Sequence, residues 1–113
     1  MKTITGPLKV YHNPNFARAH FSGPMPTEDT CILVATVETA NLDTAYERTN
    51  SFDRHWIENS GLTVHNGNRH RSTSMGDLIV DKNGNAFICA AFGWQTPSDF
   101  DKELAENREL TFG

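Results

Sequence analysis

The sequence of 113 residues has little of several features that mark common protein classes. It contains two cysteines, Cys31 and Cys89, and no apolar run near the roughly 20 residues that a membrane-spanning helix needs. Its ten basic residues are outnumbered by fourteen acidic ones and form no extended cluster. A disulfide framework, a membrane span and a broad surface for duplex nucleic acid are therefore not expected.

The placement of the cysteines and of the charges adds to these expectations. Each cysteine lies in an apolar run, which favours two buried thiols, although the sequence leaves a disulfide open. The first ten residues, MKTITGPLKV, lack the apolar stretch of a signal peptide, so we expect a cytoplasmic protein. The net charge of -4 is concentrated in the last fifteen residues, where five acidic side chains face two basic ones. This length fits one domain, residues 1–113.

Several segments carry clear secondary-structure patterns. Leu8 to His12 predicts a short strand that ends at an Asn-Pro dipeptide. Thr30 to Val37 is aliphatic on both faces, which predicts a central strand that is either covered on both sides or covered on one side and paired with a second copy in a homodimer. Asn41 is a good helix cap, and Leu42 to Asn50 therefore predicts a helix.

The strongest local signal is a hairpin centred on Asn83-Gly84. This dipeptide predicts a two-residue type I′ turn, because both central positions of that turn need positive φ. Pairing outward from the turn opposes Val80 with Phe87 and Ile79 with Ile88. The register places two apolar sets on opposite faces, one with Leu78, Val80, Phe87 and Cys89 and the other with Ile79, Ile88 and Ala90. A hairpin apolar on both faces belongs in the middle of the protein.

The remaining segments predict loops and one weak helix. Residues 15–29, 51–60 and 61–71 are rich in loop-forming residues. Ser98 is a candidate cap for an acidic helix over residues 99–110, which is marginal on its own. The predicted fold class is α+β: a small antiparallel sheet of three to four strands, one packed helix and a C-terminal helix that the sequence leaves open.

The sequence contains parts of two patterns that are typical of metal-binding sites, and neither pattern is complete. The run DKNGN, residues 81–85, begins like a calcium loop, but the loop would need Gly at position 86 and Glu at position 92, where the chain has Ala and Phe. A hairpin turn explains it better. The five histidines lack HxH and HExxH spacing, and no CxxC pair is present. We therefore expect no metal and no cofactor.

The segment RHRSTSMGD, residues 69–77, is the candidate contact surface. One interpretation is a loop that folds back through its own hydrogen bonds, with Gly76 turning the chain into the strand at Asp77. The other is a small anion site formed by Arg69, Arg71, Ser72, Thr73 and Ser74. Trp56 and Trp94 are core or rim residues by default, but they are also what a partner-binding surface would use.

Catalysis has no complete motif in this sequence. His70, Asp77 and the neighbouring hydroxyl residues include the residue types of a nucleophile triad, but a triad is a spatial arrangement, and the sequence has no GxSxG elbow. We expect a protein without enzymatic activity.

The run LDTAYERTN and the later RSTSMGDLIVDKNGNAFICAAFGW resemble the YodL-like family of small proteins from phages and mobile elements. The resemblance covers residues 42–95, and it matches Leu42, Tyr46 and Asn50 in the helix, Ser72, Ser74, Gly76 and Asp77 before the strand, and Gly93-Trp94 at the close. Ala90 and Ala91 stand where many relatives carry an Asp. The resemblance implies a small α+β domain in a phage setting, without an assigned reaction.

These observations favour a non-enzymatic phage protein that binds and inhibits a host defence component in the host cytoplasm, as an anti-CRISPR protein does. The predicted contacts are Arg69, Arg71, Trp56 and Trp94, with the hydroxyl run beside them. Three alternatives stay open: a sponge that binds a small anionic nucleotide, a virion or assembly component, and an enzyme that uses His70 or Asp77.

Overall fold

The structure is a computed structural model that describes residues 3–14, 26–51, 55–90 and 93–99, and the statements below concern these residues. They form an antiparallel sheet of six strands in the order β3-β2-β1-β4-β5-β6. The strands are β1 (Leu8–His12), β2 (Ile32–Val37), β3 (Leu62–Val64), β4 (Leu78–Val80), β5 (Ala86–Ala90) and β6 (Gly93–Gln95). One α-helix, α1 (Leu42–Arg48), and one 3-10 helix (Trp56–Glu58) lie between β2 and β3.

The α+β class is confirmed, but the expectation of three to four strands is wrong. The additional strands, β3 and β6, lie at the two edges of the sheet and have three residues each. Such short segments cannot display the alternation that identifies a strand in a sequence. The predicted loop over 61–71 therefore contains an edge strand. The second hairpin strand ends at Ala90, and Trp94 pairs back against Cys89 in β6.

The main predicted elements are confirmed. Strand β1 has the predicted bounds, and β2 lies inside the predicted Thr30–Val37 segment, paired on both edges. The side chain of Asn41 caps α1 by accepting a hydrogen bond from the amide of Thr44 at 3.0 Å. The helix ends at Arg48, earlier than the predicted Asn50, and the hydroxyl of Thr49 donates back to the carbonyl of Ala45.

The predicted turn type and register of the hairpin are wrong by one residue. The structure pairs Val80 with Ala86 and Ile79 with Phe87, and a three-residue loop joins Asp81 to Asn85. Gly84 has a φ of 85°, whereas Asn83 has an ordinary negative φ, so this is not a type I′ turn. The cause is Asp81, whose carboxylate accepts hydrogen bonds from the amides of Asn83 and Asn85 at 3.0 and 2.8 Å.

With the observed register, Leu78 and Val80 share a face with Ile88 and not with Phe87 and Cys89. Both faces of the sheet are apolar, as predicted. One face holds a core cluster that includes Ile79 and is covered by α1 and Trp56. The other face holds Tyr11, Leu78, Val80 and Ile88, with Cys31 and Leu33 beside them. Both cysteines are free thiols, as expected, although Cys31 is only partly buried whereas Cys89 is buried.

The predicted C-terminal helix lies largely outside the described residues, as does most of the predicted loop over 15–29. Residues 97–99 are helical, so Ser98 is inside the first turn and the prediction that it is the cap is wrong. The hydroxyl of Thr96 is the cap, since it accepts from the amide of Asp99 at 3.3 Å and donates to its carboxylate at 2.9 Å. Pro97 explains this position, because proline suits the first residue of a helix.

The antiparallel order brings the functional candidates to one end of the sheet. Strands β1, β3 and β5 end there, and β2, β4 and β6 begin there. The segment 65–77 therefore closes the end of the sheet that also carries His12 and Ile32. The hairpin turn at Asp81 lies at the opposite end.

We expect Asp81→Ala to lower the free energy of unfolding by about 2 kcal/mol, because the carboxylate accepts four hydrogen bonds from Thr5, Asn83 and Asn85. Lys82→Ala is the matched control, since the Lys82 side chain is exposed and the variant keeps the hydrogen bond from the backbone amide of residue 82 to the carbonyl of Thr5. Urea unfolding measures both. Equal stability of the two variants would mean that Asp81 does not organise the turn.

Candidate functional site

A buried ion pair fixes the segment that precedes β4. The guanidinium of Arg71 donates two hydrogen bonds to the carboxylate of Asp77, with N–O distances of 2.6 and 2.7 Å. Asp77 is fully buried, whereas one third of the Arg71 side chain is exposed. Two parallel bonds between these planar groups fix both their distance and their orientation.

Backbone groups complete the hydrogen bonding of this pair. The amides of Asn13 and Ser74 donate to the Asp77 carboxylate at 2.8 and 2.7 Å, and Arg71 donates to the carbonyls of Ser72 and Asn13 at 3.0 and 3.1 Å. A buried carboxylate is tolerated when its oxygens accept such bonds and a cation is adjacent. The pair therefore ties the loop before β4 to the end of β1.

Gly76 makes this arrangement geometrically accessible. It has a φ of 94°, which L side chains rarely adopt, and it lies in a turn in which the amide of Asp77 donates to the carbonyl of Ser74 at 3.1 Å. Its amide also donates to the carbonyl of Cys89 at 2.8 Å, and its carbonyl accepts from the side chain of Asn13 at 3.1 Å. The expectation that Gly76 turns the chain into the strand is confirmed.

A chain of hydroxyl groups links the same loop to α1 and to β1. The hydroxyl of Thr49 donates to the carbonyl of Ala45 at 2.9 Å, and it accepts from the hydroxyl of Thr73 at 2.7 Å. The oxygen of Thr73 therefore accepts from Nε2–H of His12, 3.0 Å away. This network assigns neutral His12 to the Nε2–H tautomer and leaves Nδ1 as a hydrogen-bond acceptor.

The surroundings of His12 disfavour its charged form. Burial is the main cause that lowers its pKa from 6.5 to about 4, and the carboxylate of Asp77 raises it by less than burial lowers it. Arg71 and His70 lower the pKa further by charge repulsion. His12 is therefore neutral near pH 7, and its approach of 3.9 Å to Asp77 is not an ion pair at that pH.

Trp56 supports the loop from below. Its indole N–H donates to the carbonyls of His70 and Arg71 at 3.1 and 2.8 Å, and only 1% of the residue is exposed. The imidazole of His70 stacks on the indole with ring centroids 6.3 Å apart, and its Nε2 donates to the carbonyl of His65 at 2.6 Å. The backbone of residues 70–71 is therefore held in place by side chains below it.

A cleft of about 370 Å³ opens at this end of the sheet. We call it the basic cleft, and it is lined by His12, Asn13, Pro14, Ile32, Arg69, His70 and Arg71. Arg69 is exposed at the cleft, and no described residue forms a hydrogen bond or an ion pair with its side chain. Ile32 is 49% exposed beside it, a high value for a large apolar residue.

The structure separates the sequence-predicted contact residues into two groups. Trp56 and Thr73 are buried behind the residues that line the cleft, and the guanidinium of Arg71, which does line it, is bonded to Asp77. Ser72 and Ser74 are partly buried: the hydroxyl of Ser72 accepts from the amide of Ser51, and the amide of Ser74 donates to the carboxylate of Asp77. Arg69 is the member of the set whose charge faces solvent in the cleft.

Trp94 is remote from the basic cleft. It lies in β6, where its indole N–H donates to the carboxylate of Asp43 at 3.1 Å and its ring stands nearly perpendicular to Tyr46. It lines a separate pocket of about 350 Å³. The structure therefore does not bring the two predicted tryptophans into one contact surface.

Sequence reasoning missed His12, Asn13 and Ile32 as parts of the site. Each is distant along the chain from residues 69–71, and only the pairing of β1 with β2 and β4 brings them together. One weak signal was available, since a histidine followed by Asn-Pro at the end of a buried strand marks a polar strand end.

The side chains of His70 and Asp77 belong to separate hydrogen-bond networks. Nε2 of His70 donates to the carbonyl of His65, and Asp77 accepts from Arg71, whereas a nucleophile triad needs the acid on one ring nitrogen of the histidine and the nucleophile on the other. Among the residues that the structure describes, no group of three His, Cys, Asp or Glu side chains is placed to hold a metal ion.

Comparison with protein-family models, with curated proteins and with solved structures found no match. The resemblance to the YodL-like family therefore stays a prediction from the residues that carry it. Within the described ranges, every helix is too short or too polar to cross a membrane.

We expect Asp77→Asn to destabilise the fold by about 3 kcal/mol, because it removes the negative charge beside Arg71 and places an amide NH₂ near backbone N–H donors. Partial exposure of Arg71 keeps this cost at the lower end of the range for buried pairs. Glu58→Gln, which neutralises an exposed carboxylate, is the control. A loss no larger than that of the control in urea unfolding would contradict a stabilising role for the pair.

The pKa of His12 predicts a pH dependence of stability. Since its pKa is 6.5 when unfolded and about 4 when folded, the unfolded chain binds the proton first as pH falls. The stability associated with neutral His12 is complete above pH 6.5 and is lost between pH 6.5 and 4. Unfolding free energies of wild type and His12→Gln across this range should therefore converge at low pH. Parallel curves would show that His12 has an ordinary pKa.

Proposed function

We propose that this protein is a non-enzymatic binding protein that accepts an anionic group in the basic cleft. One observation carries the proposal. Arg69 places a positive charge at the cleft to which no side chain of the described part of the chain bonds, next to loop residues that Asp77 and Trp56 hold in place. Because the backbone beside Arg69 is already fixed, binding does not have to order the loop, and the planar guanidinium of Arg69 suits carboxylate and phosphate groups.

The partner that fits best is an acidic surface of a host protein. Ile32 supports this choice, because an exposed aliphatic side chain beside a cation offers the apolar contact that protein interfaces combine with charge. The phage setting rests on the YodL-like resemblance over residues 42–95. In that setting the partner is a component of host defence, such as a CRISPR effector, and the protein acts as its inhibitor in the host cytoplasm.

A small anionic nucleotide is the second candidate. The volume of the cleft, about 370 Å³, falls within the lower part of the range for small-ligand pockets. A phosphate would use the same chemistry at Arg69 as a carboxylate does. The charge of the cleft therefore does not distinguish an acidic protein surface from a nucleotide, and the two experiments below do.

We expect Arg69→Glu to abolish inhibition of the defence component, because it places a negative charge where the partner's anion binds. The readout is the plating efficiency of a defence-sensitive phage on cells that carry the defence system and express each variant. Lys82→Glu is the matched control, since it makes the same charge change on an exposed residue at the opposite end of the sheet. Equal protection of the phage by wild type and Arg69→Glu would rule out the cleft as the contact.

A thermal-shift screen with mono-, di- and cyclic nucleotides tests the second candidate on the same variants. A nucleotide at about one hundred times its Kd adds roughly 2.7 kcal/mol of stability, which raises the Tm by several degrees. A shift in wild type that Arg69→Glu removes would identify a nucleotide sponge. No shift with any nucleotide leaves the acidic protein surface as the partner.

A further inference from the structure

A second pocket lies between α1 and strands β5 and β6. We call it the aromatic pocket, and it is lined by Asp43, Tyr46, Met75, Cys89, Ala90, Gly93 and Trp94. Its volume is about 350 Å³. None of these residues lines the basic cleft, so its ligand is independent of the function proposed above.

The rings of Tyr46 and Trp94 form two walls of this pocket. Their centroids are 6.3 Å apart, and their planes meet at 77°, so the walls stand nearly at a right angle. Both rings are held by polar contacts: the indole N–H of Trp94 donates to Asp43 at 3.1 Å, and the hydroxyl of Tyr46 accepts from Asn50 at 3.0 Å. Two fixed aromatic walls suit a cation, because the face of each ring is electron-rich.

Asp43 gives the pocket a negative charge. It is the one carboxylate among the described lining residues, and burial raises the pKa of the Cys89 thiol to about 11, which keeps that thiol neutral near pH 7. One oxygen of Asp43 accepts the indole N–H of Trp94, and no described residue bonds to the other oxygen. A carboxylate oxygen is therefore open beside two aromatic walls.

The rest of the lining indicates the kind of cation. The side chains of Met75, Ala90 and Cys89 carry no strong hydrogen-bond acceptor, so among the described lining side chains an ammonium with three N–H groups would find acceptors only on Asp43 and Tyr46. Methyl groups on the nitrogen need no acceptors, and they pack against ring faces and thioether sulfur. Gly93 has no side chain at the rim, where a Cβ would meet no heavy atom within 4 Å.

We infer that the aromatic pocket binds a methylated ammonium group, of the kind carried by a trimethyllysine side chain on a partner protein. Asp43 supplies the counter-charge, and Tyr46 and Trp94 supply the ring faces. No covalent chemistry is involved.

The test is an NMR titration of the full chain with Nα-acetyl-trimethyllysine amide. The indole N–H of Trp94 reports on the pocket, and that of buried Trp56 is an internal control. We expect a saturable shift of the Trp94 signal with a Kd near 1 mM, which corresponds to about 4 kcal/mol of binding free energy, while the Trp56 signal stays in place. No saturation up to about 10 mM would overturn the proposal.

Matched ligands and variants separate charge from shape. The neutral tert-butyl analogue of the ligand should bind at least about tenfold more weakly, and Asp43→Asn, which keeps an oxygen acceptor for Trp94, should weaken binding of the cation about fivefold. Glu47→Gln removes an exposed carboxylate of the same helix that does not line the pocket, and it should leave the Kd unchanged. Equal affinity for the neutral analogue would contradict a cation site.

Discussion

The ion pair between Arg71 and Asp77 is the interaction on which the rest of this end of the molecule depends. It joins the two ends of the loop 71–77, and the backbone amides of Asn13, next to β1, and of Ser74, within the loop, complete the hydrogen bonds of the carboxylate. A buried ion pair often adds little net stability, because both charges lose hydration. Its value here is geometric, since removing either member would break the hydrogen bonds that join Arg71 and Asp77 to the backbone of Asn13 at the end of β1.

This geometry divides the polar residues of the loop between two tasks. Thr73 and His12 take part in a buried chain of hydrogen bonds that reaches α1, and the guanidinium of Arg71 is bonded to the carboxylate of Asp77. These groups set the shape of the basic cleft without competing for a ligand. Arg69 and Ile32, which have no such internal task, remain exposed where that shape places them. The loop can therefore keep its internal hydrogen bonds while it contacts a partner, because the internal bonds fix the backbone on which Arg69 is exposed.

Much of the fold could be predicted from the sequence, and the failures have local causes. Strand β1 and the cap at Asn41 follow from short-range patterns that nothing in the fold opposes. The predicted register of the hairpin was wrong because the carboxylate of Asp81 accepts hydrogen bonds from the amides of its turn. These bonds favour a three-residue loop over the two-residue turn that Asn83-Gly84 predicts. Edge strands of three residues gave no period to detect.

The candidate site was harder to predict, because it is assembled across the sheet. The sequence identified the segment 69–77 but could not show that Arg71 faces Asp77 while Arg69 faces solvent. That distinction depends on the pairing of β1 with β4, which brings Asn13 and His12 to the loop. The residues that the neighbouring strands bring to the loop could therefore not be predicted from spacing along the chain.

Native-state hydrogen exchange of the amides of Asn13 and Ser74 is the most direct measurement of the central claim, because both donate to the buried carboxylate of Asp77. If the ion pair locks the loop to β1, both amides should exchange only through global unfolding, as slowly as core amides of β1 and β4. Exchange of either amide at the rate of an unprotected loop would contradict the lock, and with it the rigid basic cleft.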